Sequence, residues 1–246
     1  MDGGDPDGWS DVAADWSALW GSFPRPVWER FVAVAAVGAG TSVLDAGCGS
    51  GELLAYLASG GALVAGLEPA PGMAALARLR VPGAEIREAS LDEIPWPDGS
   101  FEVATAVNAL QFAEDGLREL RRVTRPGGRV AIANWAEAAR NDVDVLEAAI
   151  AAAREEDVLP GGPLREAGGL ASAFEEAGLK VVEDAVIDLE WAVPDDTTLV
   201  RGILLGEDAA TMTELTPVVL TAARPFRTSA GGYRLRNAFR YAVGVA

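Results

Sequence analysis

The chain has 246 residues, half of them apolar, with 37 acidic and 20 basic side chains and a formal net charge of −17. That length supports a sizeable core without disulfide or metal staples, and the acidity disfavours nucleic acid and anionic membranes, which are bound through Lys and Arg. With no histidine and one cysteine, Cys48, the chain lacks the means for an intrachain disulfide, a Cys/His zinc site, or Ser-His-Asp or Cys-His catalysis.

Residues 1–15 are rich in Gly and Asp, carry no basic residue and no apolar run, and read as a frayed lead rather than a secretory signal. Trp16 to Val37 reads as helical pieces broken at Gly21 and Pro24-Arg25-Pro26. An ordered core is expected from Thr41, where a short apolar strand enters the turn Gly47-Cys-Gly-Ser-Gly51 and continues as a helix over 52–59. The alternation repeats: strand 62–68, helix 73–79, strand 84–88, strand 102–107, helix 116–123, strand 129–134. Strands and helices alternating at this spacing imply βαβ units, a parallel sheet and a doubly wound α/β fold.

Beyond Trp135 the pattern turns helical, with an amphipathic 143–155, a break at Pro160-Gly-Gly-Pro163 and a helix over 170–177. A strand over 179–191, helical stretches near 197–205 and 209–223, and a last strand over 233–243 complete the chain. No window approaches 18 uncharged apolar residues, so no membrane span is predicted and a cytoplasmic location is expected.

Open α/β sheets bind ligands beyond the carboxyl ends of their strands, which directs attention to the glycine turn. Glycines let a ligand approach the backbone, and the helix N-terminus behind them favours negative charge. A dinucleotide turn needs G-x-G-x-x-G, but here Glu52 stands where the third glycine belongs, and no Gly-Lys-Ser/Thr follows to make a P-loop. What remains is a nucleoside cofactor without a pyrophosphate in the turn. Glu68, 17 residues beyond Gly51 at the end of the second strand, is placed to accept hydrogen bonds from both ribose hydroxyls.

Four segments now resemble the ordered motifs of class I S-adenosylmethionine (SAM)-dependent methyltransferases. They are Val43-Leu-Asp-Ala-Gly-Cys-Gly-Ser-Gly51, Gly66-Leu-Glu-Pro-Ala-Pro-Gly-Met73, Ile94-Pro-Trp-Pro-Asp-Gly-Ser-Phe-Glu-Val103 and Leu120-Arg-Arg-Val-Thr-Arg-Pro-Gly-Gly-Arg-Val130. The resemblance implies a Rossmann-like, mostly parallel seven-stranded sheet with an antiparallel last strand and a helical cap. It implies that Asp45 and the backbone of Gly47, Cys48, Gly49 and Gly51 hold the methionine end of SAM, with Glu68 on the ribose and Pro69 and Met73 beside it. Ser90 and Leu91 would flank the adenine, Ser90 standing where the family commonly has an acid. Asn108, at the end of the fourth strand, would face the sulfonium side of the cofactor.

The single domain is expected to divide into an N-terminal helical lid (1–40), a SAM-binding core (41–135), a cap insertion (136–170) and a C-terminal completion of the sheet (171–246). Trp16 and Trp20 lie one helical turn apart and suggest an aromatic stripe, or a lid over the methyl donor whose other half comes from 136–169. Gln111 and Trp135 follow strands at the ligand-facing end and join them as candidate substrate residues. Arg234 shares a strand face with Arg236 and Arg240, and would meet an anionic substrate if that face opened into the cap.

The expected activity is in-line methyl transfer from SAM to the O, N or C atom of a small molecule, leaving S-adenosylhomocysteine (SAH), in biosynthesis. Alternatives are a SAM-assisted cyclase, decarboxylase or isomerase on the same fold, and a non-catalytic SAM-binding partner subunit. No metal, nucleic-acid or membrane partner is expected, and the protein is expected to be a monomer or homodimer. No residue stands out as a general base.

Overall fold

The computed structural model describes residues 5–158 and 161–246, so Pro160 and residues 1–4 of the predicted lead lie outside it. Helices α1 (Pro6–Asp11), α2 (Ala13–Leu19) and α3 (Arg25–Val34) precede β1 (Ser42–Ala46), α4 (Glu52–Ser59), β2 (Leu63–Leu67), α5 (Pro71–Arg80), β3 (Glu85–Arg87) and β4 (Phe101–Val107). There follow α6 (Gly116–Val123), β5 (Thr124–Trp135), α7 (Asp142–Ala153), α8 (Gly169–Glu176), β6 (Lys180–Val193), α9 (Asp196–Ile203), α10 (Ala209–Ala222) and β7 (Tyr233–Val245).

The seven strands form one sheet in the order β3-β2-β1-β4-β5-β7-β6. Pairings from β3 through β5 are parallel, and β7 runs antiparallel to both β5 and β6. This is the doubly wound α/β architecture expected from the alternation, with the antiparallel last strand inserted beside β5. Strand order reverses between β1 and β4, and the carboxyl ends of these strands frame the crevice where open sheets take ligands.

Side-chain alternation along the strands builds two cores. Leu44, Ala104, Val130 and Ile132 face Leu117, Leu120, Leu170 and Phe174 of α6 and α8. Val43, Val103, Ala131 and Ala133 face Val27, Trp28 and Phe31 of α3 and Leu53 and Leu57 of α4. A third cluster joins Trp20 to Leu146 of α7, Leu199 of α9, Leu215 and Val219 of α10, and Trp191 and Leu235 at the ends of β6 and β7. The helical cap is thus built mainly from α7, α9 and α10.

The N-terminal lead differs from its expected fraying. Asp5 caps α1 by accepting from the Asp7 N–H at 3.0 Å, Pro6 starts the helix where its missing N–H costs nothing, and Ser10 Oγ accepts from the Gly72 N–H of α5 at 3.0 Å. An Asp-Pro pair outweighs the surrounding glycines. β5 also begins five residues earlier than expected, running back through Pro126-Gly-Gly128 to Thr124.

Candidate functional site

The carboxyl ends of β1, β2 and β4 open on a pocket roofed by the N-terminal helices. Its floor is the glycine turn. Gly47 (φ +73°) and Gly51 (φ +87°) are held by packing: a Cβ at Gly47 would lie 2.4 Å from that of Ala109, and one at Gly51 would lie 2.9 Å from the Ala77 Cα of α5. Gly49 (φ +53°) has open space where a side chain would stand, which leaves its backbone accessible to a ligand.

Three carboxylates surround this turn. Asp45, at the end of β1, is 3% exposed and accepts from the hydroxyl of Thr105, its register partner on β4, at 2.8 Å. Burial, with Glu68 and Glu52 nearby, pushes its pKa up to about 7. Glu68 accepts from the Gly49 N–H and the Ala70 N–H, both at 2.9 Å; burial nevertheless raises its pKa above the ordinary range. Neither pairs with an Arg or Lys among the described residues. Glu52 does, with Arg80 of α5 at 2.7 Å. The Cys48 thiol is buried beside these acids and held well above its usual pKa, so it is no thiolate nucleophile at neutral pH.

Glu52 also anchors the roof. Its carboxylate accepts from the hydroxyls of Ser50 and of Ser17 on α2, each at 2.8 Å, and Arg80 completes the knot by donating to Ser17 Oγ at 2.8 Å and to the Ser50 carbonyl. Above it runs an aromatic chain. Trp9 packs edge-on against Trp16, Trp16 stacks toward Trp20, and Trp20 stacks on Trp191 at 4.0 Å while its Nε1 donates to the Gly202 carbonyl. Trp16, Trp20 and Trp28 all line the pocket.

Asp45, Gly47, Cys48, Gly49, Glu68, Pro69, Met73, Ser90, Leu91 and Asn108 line this one pocket with Trp16 and Trp20, whereas Gly51 does not and serves packing. Asn108 holds a left-handed backbone (φ +52°), and its carbonyl accepts from Gln111 Nε2 at 3.0 Å. Ser90 Oγ accepts from the Asp92 N–H at 3.2 Å.

Other candidates lie elsewhere. Trp135 stacks on Phe23 and meets Phe239 and Trp20 edge-on, Gln111 lines a second cavity, and Arg234 is exposed beside Glu190. Arg240 is buried and tied to Glu137 and the Arg165 carbonyl, so this arginine is spent on holding the cap turn. Among the described residues, none of 136–158 or 161–169 lines the pocket; the N-terminal helices lean on β6 and α9 instead, through Trp20 on Trp191 and Gly202. Sequence reasoning missed Thr105 and Arg80, whose roles come from strand register and helix packing and leave no local signal.

A family model described as "Methyltransferase domain" matches residues 44–132. The malonyl-[acyl-carrier protein] O-methyltransferase of Serratia marcescens is 33% identical over 48% of this chain and 49% of its own length. The demethylmenaquinone methyltransferase of Chlorobaculum parvum is 38% identical over 35% of this chain and 37% of its own. The chain therefore spans half or less of the length of these relatives. Among solved structures, the geranyl diphosphate C-methyltransferase of Streptomyces coelicolor, in complex with Mg2+, geranyl diphosphate and SAH, superposes with a TM-score of 0.53 at 13% identity, covering 90% of this chain and 79% of that one. The matched segment contains the strands and turn that build the pocket: residues 44–132 are similar to a methyltransferase domain, and the sheet around them has the fold shared with that solved structure.

Proposed function

We propose that this chain transfers a methyl group from SAM to a small-molecule acceptor by in-line displacement. The observation that carries the proposal is electrostatic. The pocket holds Asp45 and Glu68 without cationic partners under a roof of tryptophans, and no Lys or Arg is among its described lining residues. A buried negative well of this kind suits a sulfonium and an ammonium, which aromatic faces also attract, and repels a pyrophosphate.

The residues present fit SAM. Asp45 and the open backbone at Gly49 would hold its methionine end, Glu68 its ribose, and Ser90 and Leu91 the adenine. When bound, SAM supplies a methyl group already activated by a positively charged sulfur. The protein's own work is to align the acceptor and exclude water. Trp16, Trp20 and Trp28 close the roof, and the Glu52–Arg80–Ser17 knot fixes that roof to the cofactor turn. In this proposal residues 1–40 are the lid, 41–135 the cofactor core, 136–170 a cap insertion and 171–246 the completion of the sheet. A roofed, acidic pocket in a chain of net charge −17 favours a small neutral or cationic acceptor.

The test is to incubate the protein with SAM and a panel of small-molecule acceptors, scoring methylated product and SAH together. Equal amounts of both are expected for an accepted substrate. Product formed without SAH would replace methyl transfer with a SAM-assisted isomerisation or cyclisation on the same fold.

A further inference from the structure

A second cavity, of about 440 Å³, lies at the same carboxyl edge of the sheet, within the range of small-molecule sites. The short 3-10 turn Leu110–Phe112 stands between it and the cofactor pocket, and Ala113 lines both. Its other walls are α6, the cap turn Gly161–Leu164, α8 and the end of β5.

Asn134 closes β5 on this side. Val130 and Ile132 point into the core under α6 and α8, and by the two-residue period Asn134 shares their face. It is 3% exposed, and its Oδ1 is buried with no hydrogen-bond partner. Two equally buried asparagines obey the rule that buried polar groups are paired: Asn141 before α7 and Asn237 of β7 are bonded to backbone. An unpaired amide at the bottom of a cavity, with Leu117, Leu164 and Ala173 around it, has the form of a recognition group. Glu114, Asp115 and Glu176 stand at the lining and Arg118 is paired to Asp115, so an anion is disfavoured.

We infer that this cavity is a ligand site distinct from the SAM pocket, taking a small, uncharged molecule with an apolar body and a carboxamide, lactam or hydroxyl group that pairs with the Asn134 amide. A carboxamide matches best, because Asn134 can accept with Oδ1 and donate with Nδ2. The inference does not depend on methyl transfer, since the cavity shares only a wall with the cofactor pocket.

Benzamide, benzylamine and benzoate serve as probes of equal size and different charge, titrated into the full chain while backbone amides are followed by NMR. Benzamide should shift Leu117, Gly162 and Ala173 saturably, and benzoate should not. Asn134→Leu, which keeps the volume, should weaken benzamide about tenfold by removing the hydrogen bonds, while SAM affinity stays unchanged. Asn134→Asp should turn the preference toward benzylamine, which covers the case of a leucine variant that fails to fold. Glu68→Ala should abolish tight SAM binding and leave benzamide untouched, so a failure of the cofactor assignment is visible separately. The inference is overturned if no probe binds, if benzamide binds Asn134→Leu as well as wild type, or if its shifts fall at the glycine turn.

Discussion

In the proposed reading Asp45 and Glu68 are the residues on which cofactor recognition turns, because each is a buried carboxylate without a cationic partner among the described residues. Asp45 holds a pKa near 7 in the folded chain against about 3.9 in an unfolded one, so between those values the folded protein binds more protons. Its contribution to stability therefore falls as pH rises from about 4 to 7, and a cationic ligand relieves the penalty. SAM binding near pH 6 should release a proton and tighten toward pH 7.5, read by calorimetry in buffers of different ionisation heat; Asp45→Asn should abolish the release. Glu68→Ala should weaken SAM by about 1.5–3 kcal/mol through lost charge-assisted bonds, and an unchanged affinity would remove Glu68 from the ribose. Ser90→Asp should hold or tighten SAM, whereas a severe loss would place Ser90 away from the adenine amino group.

Among the elements, the glycine turn and α2 work as one unit, joined through Ser17, Glu52 and Arg80. Gly51 begins α4 in the left-handed region, and a side chain there would drive into Ala77, so Gly51→Ala should cost about 2–4 kcal/mol in thermal unfolding. Arg80→Ala frees Glu52 and Ser17 in a partly buried pair and should loosen α2 by about 1 kcal/mol, seen as faster amide exchange over residues 13–19. The boundaries of α4 and α6 were legible because Leu53, Leu54 and Leu57, and Leu117, Leu120 and Val123, carry a clear helical period. The glycine turn and its nearness to Glu68 were legible for the same reason: the glycines and the spacing are local. The partners of those residues were not. Thr105 reaches Asp45 through strand register, Ser17 reaches Glu52 across 35 residues, and Trp20 leans on Trp191 and Gly202, far beyond the cap turn expected to complete the lid. Asn134 reads in the sequence as an ordinary strand end, and only the packed fold shows its amide unpaired.

At the scale of the whole molecule, the sheet order places both cavities at one edge, with the acidic well under the aromatic roof on one side of the 3-10 turn and the Asn134 cavity on the other. The excess of acids gives the chain a field that favours cations at that edge and opposes polyanions. The most direct test is calorimetric titration of the intact chain with SAM, SAH and NADH, each repeated on Glu68→Ala. The account predicts micromolar binding of SAM and SAH that weakens about 10–150-fold in the variant, with no heat from NADH. Binding of NADH without SAM would contradict it, because the account has Asp45 and Glu52 beside the turn repel a pyrophosphate.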